Sequence, residues 1–260
     1  MSHELASRGM NIILHGRNPE KLERVKSEIA AAHPTVSLRI LIADAANSHG
    51  MKKSIEAMTA SIDELLTGHQ LTMLVNNCGG IPMLENPWTA FADITPAEAD
   101  GVINLNLRFP TQLTRSLLPR LTKDAPSLIL NHSSIAGTTG MPYIATYSGS
   151  KAFNHMWSWS LDRELKEKKL DIECLALLIG AVSATSGARE PGDFFTPKAS
   201  DFVKCCLDRI GCGSSVAIPF WGHAVQYAIL NALPAALQTM FVSMTIRDAR
   251  ARLAKGKKQA

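Results

Sequence analysis

Residues 147–151 read Tyr-Ser-Gly-Ser-Lys, and Ser134 stands thirteen residues before Tyr147. On a helix, positions i and i+4 lie on one face, so the ammonium of Lys151 would lie beside the phenol of Tyr147. A nearby cation favours the charged form of an acid, so we expect Lys151 to lower the pKa of Tyr147 from about 10 toward neutrality. The spacing therefore predicts that Tyr147 is a general acid/base.

The residues that lead to Ser134 form an apolar run typical of a buried strand. They read Ser-Leu-Ile-Leu-Asn at 127–131 and continue with His132, Ser133 and Ser134. Such a strand would deliver the hydroxyl groups to its carboxyl end, which is where open α/β sheets bind ligands. Ser134 is the predicted partner of Tyr147. Ser133 is the alternative hydroxyl if the strand is shifted.

Two further segments support the same site. An apolar strand from Leu71 ends in Asn76-Asn77-Cys78-Gly79, and residues 100–106 form a helix-like segment that carries Asn106. Taken alone, a Tyr and a Lys four residues apart are more often two surface residues of one helix. The four segments in this order instead resemble the short-chain dehydrogenase/reductase family, whose catalytic residues correspond here to Asn106, Ser134, Tyr147 and Lys151.

The resemblance implies a role for each of these residues. Ser134 would hydrogen-bond the substrate carbonyl, and Lys151 would hold the cofactor ribose. Asn106 would position a water that links Lys151 to solvent. Asn77, Cys78 and Gly79 would form the floor of the cofactor site, and Val182 would lie beside the nicotinamide. The family usually has Ala at the position of Cys78.

The opening of the family pattern is not visible in this sequence. Dinucleotide sheets begin with a strand, a glycine-rich turn and a helix that binds the pyrophosphate. Here the first strand-like run is residues 11–14, and residues 3–9 resemble the tail of the first helix. A strand of ~5 residues with its turn and a helix of ~11 do not fit before it. We therefore expect an amino-terminally truncated sheet, and little NADPH binding by this chain alone.

The choice of cofactor follows from the residue after the second strand of the family pattern. Arg17 stands there, and no acid lies between Leu14 and Pro19. An acid would bind a free ribose 2′-hydroxyl, whereas an Arg suits the 2′-phosphate, so the sequence predicts NADP. Asp44 would contact the adenine. The alternatives are that Arg17 is an ordinary surface cation and that Asp44 is a turn residue.

Strands and helices alternate along the chain, which predicts an α/β fold with a Rossmann-like, doubly wound parallel sheet. The composition, with 46% hydrophobic and 19% charged residues, suits such a core. The five cysteines form no disulfide framework, so we expect reduced thiols and a cytosol-facing catalytic domain. Predicted helices are 19–31, 48–66, 96–104, 107–121 and 147–169, and predicted strands are 36–42, 71–76, 127–131 and 172–179.

The carboxyl-terminal segment has its own character. No Asp, Glu, Lys or Arg occurs between Val216 and Met244, and the net charge of +4 is concentrated in the basic tail that begins at Arg247. We therefore predict a catalytic domain at 1–215 and an apolar helical extension with a basic tail at 216–260. Its pattern of Trp221, His223 and Leu233-Pro234 resembles the microsomal branch containing 17β-hydroxysteroid dehydrogenases and very-long-chain 3-oxoacyl-CoA reductases.

Two readings of this extension stay open. Its apolar helices would contact a membrane surface with the basic tail near anionic lipid, or they would form a dimer interface or core. Lys257-Lys258 near the end matches a dilysine pattern of endoplasmic reticulum proteins. We expect association with that membrane, with a cytoplasmic location as the alternative. His223 is expected to be a hydrogen-bonded helix residue and not a catalyst.

Together, these patterns predict an NADP-dependent oxidoreductase that transfers hydride between a nicotinamide and a carbonyl or hydroxyl of a lipophilic substrate. A 3-oxoacyl thioester, a steroid or another hydrophobic ketone would fit. No metal site and no nucleic-acid partner is expected. The competing hypothesis is a catalytically inactive family member that serves as a regulatory or interaction module.

Overall fold

The computed structural model describes residues 1–46, 51–81, 88–183 and 194–256, without the side chains of 51–54, 248, 249 and 252–256. The strands are β1 (Ile12–Gly16), β2 (Leu38–Ile42), β3 (Met73–Asn76), β4 (Ser127–His132), β5 (Ile172–Leu177) and β6 (Val216–Ala217). The predicted strands, including the first strand-like run at 11–14, correspond to β1 to β5, and each boundary differs by a few residues at most.

Helices connect these strands. They are α1 (Ser2–Ser7), α2 (Pro19–Ala32), α3 (Met51–Leu65), α4 (Pro96–Ile103), α5 (Phe109–Lys123), α6 (Ala136–Thr139), α7 (Ala145–Glu167), α8 (Ala199–Leu207), α9 (Trp221–Ala232) and α10 (Ala235–Gly256). A short 3-10 helix covers Phe91–Asp93, and a π-helix covers Asn104–Arg108 between α4 and α5. The predicted start of the third helix, Ser48, lies outside the described residues.

The helix starts show why the sequence patterns were informative. The Asn18 side chain accepts the N–H of Lys21 at 2.8 Å, and Pro19 occupies the first turn of α2. At α4, Thr95 and Glu98 form a reciprocal capping box ahead of Pro96. Both caps satisfy backbone donors that have no partner within the helix.

All strand pairs are parallel, and hydrogen bonds divide the strands into two sheets. β1 pairs with β2, while β3, β4, β5 and β6 form a sheet in that order. The predicted α/β fold with parallel strands is confirmed. Within the described ranges, no strand bridges β1 and β3, although the two sheets share side-chain contacts.

The sheets have apolar cores on both faces. On one face, α3 and α5 pack against β3 and β4 through buried residues that include Met58, Phe109 and Leu117. On the other face, Ala6 of α1 and Ile29 of α2 cover β1, while a separate cluster forms around β4, β5 and α8. Parallel strands that are buried on both faces have nearly continuous apolar sequences. This explains why residues 127–131 and 172–177 are mostly apolar.

The carboxyl-terminal segment is built onto the larger sheet. Val216 and Ala217 form β6 against β5, so the sheet continues past residue 215. Buried Leu230 of α9 and Val242 and Ile246 of α10 pack with Ile135 and Leu178 beside the ends of β4 and β5. No helix in the described part of the chain is both long and apolar enough to cross a membrane.

Candidate active site

The ends of β4 and β5 and the start of α7 bring the predicted triplet together. Ser134 follows β4, where its hydroxyl donates to the carbonyl of Ile179 at 3.2 Å and accepts the N–H of Ala136 at 3.1 Å. The Ser134 hydroxyl also lies close enough to the Tyr147 phenol to stabilise its charged form. The Lys151 ammonium lies 5.7 Å from the centre of the Tyr147 ring.

Lys151 is held in a buried position. Its side chain is only 4% exposed, and Nζ donates to the backbone carbonyl of His132 at 2.7 Å. Burial disfavours the charged form and lowers its pKa to about 8. An ammonium has three donors, so two remain for other partners.

The expected effect of Lys151 on Tyr147 is not present in the unliganded protein. The pKa of Tyr147 is raised, because burial of the phenol disfavours the phenolate more strongly than the hydrogen bond with Ser134 favours it. The sequence spacing placed the cation correctly on the helix face, but it contained no information about the desolvation of the hydroxyl. Tyr147 is therefore protonated in this state, which suits a proton donor.

Asn106 connects the π-helix to the segment after β3. Its amide donates to the carbonyls of Gly80 and Val102 at 2.7 and 2.8 Å, and its Oδ1 accepts the N–H of Gly80 at 2.8 Å. Its side chain is fully buried. π-helical turns are often found at functional sites. Here the turn directs Asn106 toward Gly79 and Lys151.

Gly79 occupies a position that has no room for a side chain. A Cβ there would lie 2.8 Å from Nζ of Lys151 and 3.0 Å from Oδ1 of Asn106. The backbone of the Asn-Asn-Cys-Gly segment therefore passes directly over two of the predicted catalytic residues. This close approach is the physical reason for a glycine at the end of that segment.

The two serines after β4 have different surroundings. Ser133 is buried, and its hydroxyl donates to the backbone carbonyl of Lys151 at 2.7 Å. Ser133 thus ties β4 to α7, whereas Ser134 is partly exposed and contacts Tyr147. The structure favours Ser134 over Ser133 as the hydroxyl that is available to a substrate.

A buried polar chain behind the site was missed in the sequence. Asn76 donates to Asn131 at 2.7 Å, and Asn131 donates to Ser158 at 2.8 Å. Ser158 in turn donates to the carbonyl of Asn154, whose side-chain amide donates to the carbonyl of Asn106 at 2.9 Å. A usable signal was present, since 147, 151, 154 and 158 repeat at helical spacing and mark one polar face of α7.

Two of the predicted cofactor residues lie at the surface beyond β1 and β2. Arg17 is exposed directly after β1, and it makes no ion pair with any described residue. Asp44 is also exposed, and its carboxylate accepts the N–H of Ala46 at 3.0 Å in a tight turn. Asp44 is therefore a turn residue in the unliganded protein. Contact with an adenine stays a prediction.

Four others line or underlie the end of the larger sheet. Asn77 and Gly79 are exposed, and the Cys78 thiol lies 4.0 Å from Nδ1 of His15. Burial raises the pKa of Cys78. Val182 is 6% exposed and packs in the cluster around Leu177 and Phe202, so its side chain is part of the core.

His223 is a fully hydrogen-bonded core residue. Its Nδ1 accepts the N–H of Gly180 at 3.3 Å, and its Nε2 lies 3.1 and 3.2 Å from the carbonyls of Ala181 and Phe195. A Cβ at Gly180 would come within 2.6 Å of the ring. His223 therefore fixes the segment after β5, in agreement with the structural role expected from the sequence.

A small apolar cavity of about 10 Å³ lies beside Tyr147. Its wall includes Ile81, Phe91, Ile94, Tyr143 and Ile144. The guanidinium of Arg250 on α10 lies 4.2 Å from the ring of Tyr143. The carboxyl-terminal helix thereby supports the wall of this pocket.

The residues present fit a nicotinamide cofactor. The open backbone at Gly79, which a Cβ would close, leaves a cradle next to Lys151. The spare donors of Lys151 suit ribose hydroxyls, and Tyr147 lies on the same helix face with an apolar pocket beyond it. The cradle at Gly79, the donor Lys151 and the acid Tyr147 thus lie at the carboxyl end of a parallel sheet, where such ligands bind.

The fold and this geometry fit a dehydrogenase that uses a tyrosine and a lysine, and sequence comparison shows the family. The sequence profile for short chain dehydrogenases matches residues 1–191. The chain belongs to the short-chain dehydrogenase family.

Two of its curated relatives carry the same description. A very-long-chain 3-oxoacyl-CoA reductase of Pyricularia oryzae is 31% identical over 228 residues, which cover 86% of this chain and 65% of the relative. One from Kluyveromyces lactis is 34% identical over 240 residues, covering 88% of this chain and 66% of the relative. The chain thus spans about two thirds of the length of these relatives.

Solved structures show the same fold. A bulky-bulky ketone specific alcohol dehydrogenase from Comamonas testosteroni has a TM-score of 0.69 at 20% identity, covering 90% of this chain and 88% of that protein. A metagenomic short-chain oxidoreductase in complex with NADP has a TM-score of 0.58 at 28% identity, covering 69% and 75% of the two chains. The second structure supports a nicotinamide cofactor for this family member.

Proposed function

We propose that this protein is an NADP-dependent reductase of a lipophilic carbonyl compound, with 3-oxoacyl-CoA thioesters as the preferred substrate class. The observation that carries the proposal is the contact of Ser134 with Tyr147 beside buried Lys151, next to an apolar pocket. Relatives that are described as very-long-chain 3-oxoacyl-CoA reductases support the substrate class.

The chemistry divides between the cofactor and the chain. A reduced nicotinamide, when bound, supplies hydride to the carbonyl carbon. Tyr147 donates its proton to the carbonyl oxygen, and the raised pKa of the phenol keeps that proton available at neutral pH. Ser134 hydrogen-bonds the same oxygen and stabilises the developing negative charge.

Lys151 and Asn106 complete the proposed mechanism. Lys151 binds the ribose through its spare donors, and its positive charge favours the tyrosinate that follows proton transfer. Asn106 holds the Gly80 backbone so that the cradle at Gly79 stays open. A water that links Lys151 to solvent would sit near this amide.

The preference for NADP rests on Arg17, which is exposed directly after β1 and can contact a 2′-phosphate. Changing Arg17 to Asp replaces a phosphate partner with a like charge, so the preference for NADPH over NADH should be lost or reversed. Titration of both coenzymes measures this preference. Equal affinity of the unmutated protein for NADPH and NADH would refute the assignment.

The apolar face of α9 and α10 is proposed to rest on a membrane surface. Large apolar side chains are exposed there beside the basic residues of α10; they are Trp221, Val225, Ile229, Leu237, Met240, Phe241 and Met244. Such a face with adjacent cations suits anionic lipid, and the endoplasmic reticulum is the proposed location, with the site facing the cytosol. A homodimer through this face is the competing use.

The inactive-module hypothesis predicts no turnover even when NADPH is bound. The test therefore measures NADPH binding and NADPH-dependent reduction of 3-oxoacyl-CoA in parallel. We expect reduction of the thioester by the NADPH-bound protein. A protein that binds NADPH but reduces none of the carbonyl substrates would favour the inactive module.

A further inference from the structure

The peptide group between Ile179 and Gly180, here called the 179/180 peptide, lies directly behind Ser134. Its carbonyl, that of Ile179, accepts the Ser134 hydroxyl at 3.2 Å and the N–H of Ile135 at 3.0 Å. Its N–H, that of Gly180, donates to Nδ1 of His223 at 3.3 Å. Ser134 and His223 therefore bind opposite ends of one peptide group.

The rigidity of the 179/180 peptide links these two contacts. A peptide unit is planar and trans, so its carbonyl and its N–H point in opposite directions and turn together. The unit ends at Gly180, and glycine has the widest choice of backbone conformations. A partner that fixes the N–H therefore also fixes the direction of the Ile179 carbonyl, and with it the acceptor that Ser134 meets.

The ring of His223 is held in one place by its surroundings. Its side chain is fully buried, and the ring centre lies 5.4 Å from that of Phe202 and 5.2 Å from that of Phe220. A Cβ at Gly180 would lie 2.6 Å from Cδ2 of the ring, so the imidazole rests directly on the backbone at this glycine.

Both nitrogens of His223 have defined roles. Burial lowers the pKa of His223, so the ring is neutral at neutral pH and has one acceptor and one donor nitrogen. Because Gly180 donates to Nδ1, the proton lies on Nε2, which donates to the carbonyls of Ala181 and Phe195 at 3.1 and 3.2 Å. Nδ1 thus fixes the 179/180 peptide, and Nε2 fixes the ring.

We propose that His223 is a positioning residue for the carbonyl reduction: it fixes the 179/180 peptide, and this peptide holds the Ser134 side chain in the rotamer that meets the substrate oxygen. The role rests on the proposed function, in which Ser134 contacts the substrate. A hydroxyl has one proton to donate. When substrate binds, that proton turns from the Ile179 carbonyl to the substrate oxygen, and the carbonyl keeps the N–H of Ile135.

Two substitutions separate the roles of the two nitrogens. Asn carries its side-chain oxygen near the place of Nδ1 and can accept the Gly180 N–H, whereas Gln reaches the place of Nε2 and leaves Gly180 without an acceptor. We expect His223→Gln to lower kcat for a 3-oxoacyl-CoA by about tenfold and His223→Asn to lower it by less than about twofold. KM should change little, because Ser134 acts on the charge that develops during the reaction.

A double-mutant cycle distinguishes positioning from general support of the fold. His223→Gln is also made in a Ser134→Ala protein, and kcat is compared across the four proteins. If His223 acts through Ser134, the Gln change costs less than about twofold in that background. A residue that only stabilises the fold would lower kcat by the same factor with and without the Ser134 hydroxyl.

Hydrogen exchange gives a readout that does not require turnover. Exchange of the Gly180 amide, followed by NMR, should be slow in the parent and in His223→Asn and faster by at least about tenfold in His223→Gln. Denaturant unfolding of both variants is the control for stability, since each loses hydrogen bonds on one side of the ring.

Three results would overturn the proposal. They are equal kcat values for the Asn and Gln variants, the same loss of kcat from His223→Gln in the Ser134→Ala background as in the parent, and slow exchange of the Gly180 amide in His223→Gln. A parent protein that binds NADPH but reduces no 3-oxoacyl-CoA would refute the proposed function itself, and the role of His223 with it.

Discussion

At the scale of single residues, Gly79 provides the sharpest test of the site geometry. Its replacement by Ala would place a Cβ 2.8 Å from Nζ of Lys151, so the lysine or the backbone must move. We expect Gly79→Ala to lower kcat/KM by at least about tenfold, because displacements of this size at a catalytic group are costly. Steady-state kinetics of the two proteins would measure this loss.

Gly149 offers the matched control. It lies between Tyr147 and Lys151 on the exposed face of α7, and a Cβ there would meet nothing within 4 Å. Gly149→Ala should keep activity and raise the free energy of unfolding by about 0.5–1 kcal/mol through helix propensity. Equal loss of activity in both variants would show that activity does not depend on the close approach of the backbone at Gly79.

His132 makes the stability depend on pH. Burial of its ring, and next the charge of Lys151, lower its pKa to about 3 from 6.5. The unfolded chain therefore binds more protons than the folded chain between these values, and stability falls as the pH falls through this window. Unfolding by denaturant should show a loss of about 3 kcal/mol from His132 between pH 6.5 and pH 4.

The control for this prediction is His132→Gln, which removes the titrating group. The variant should show a shallower loss of stability below pH 6.5, while its stability near pH 8 depends only on packing. Parallel pH curves for the two proteins would contradict the assignment to His132.

The residues that the structure brings together around Tyr147 were identifiable from the sequence, but their electrostatics were not. The spacing of Tyr147 and Lys151 places both on one helix face whatever the surroundings. The raised pKa of Tyr147 depends on burial, which arises from segments far away in the chain. The raised pKa of Cys78 likewise depends on burial by distant segments. Its contact with His15 joins the ends of strands from two different sheets.

At the scale of elements, the end of β4 carries a buried serine, Ser133, next to the partly exposed Ser134, which we propose as the substrate contact. Ser133→Ala removes a buried hydrogen bond to the carbonyl of Lys151, so we expect a loss of about 1–2 kcal/mol of stability. Ser134→Ala should leave stability nearly unchanged and lower kcat. Denaturant unfolding and kinetics on both variants would check this pattern, and the reverse assignment of effects would identify Ser133 as the substrate contact.

Helix and strand positions were predictable where local signals were strong. Asn18 with Pro19, and Thr95 with Pro96, marked the starts of α2 and α4 because caps act locally. The π-helix at Asn104–Arg108 was not predicted, since the sequence indicated a helix from 107. Its cause is tertiary, because Asn106 and its backbone are bonded to Gly80 and Asn154.

At the scale of the whole molecule, the exposed apolar face of α9 and α10 should govern membrane binding. Changing both Met240 and Met244 to Ser removes two side chains that are each 55% exposed. We expect binding to vesicles of phosphatidylcholine with phosphatidylserine to weaken by about tenfold, from the lost apolar burial. Vesicle sedimentation would measure this change.

Met156→Ser is the control for that experiment, because Met156 is 52% exposed on α7 and lies outside this face. Its binding to vesicles should be unchanged. A dimer in solution that the Met240 and Met244 changes dissociate, without any vesicle binding by the parent protein, would assign the face to a second copy.

The overall architecture was predictable because alternating strands and helices specify a parallel sheet. The division into two sheets and the placement of β6 were not. Val216 and Ala217 form only two residues of strand, and their pairing with β5 depends on the fold and not on local pattern. The packing of Leu230 and Ile246 beside the site likewise required the assembled structure.

The central claim is that Tyr147 donates the proton in a reduction of a lipophilic carbonyl compound. The most direct test compares NADPH oxidation by the protein and by its Tyr147→Phe variant with a long-chain 3-oxoacyl-CoA. We predict that kcat falls by at least about a thousandfold, while NADPH affinity stays nearly the same, because only the proton donor is removed. A Tyr147→Phe protein that retains full turnover would contradict the account.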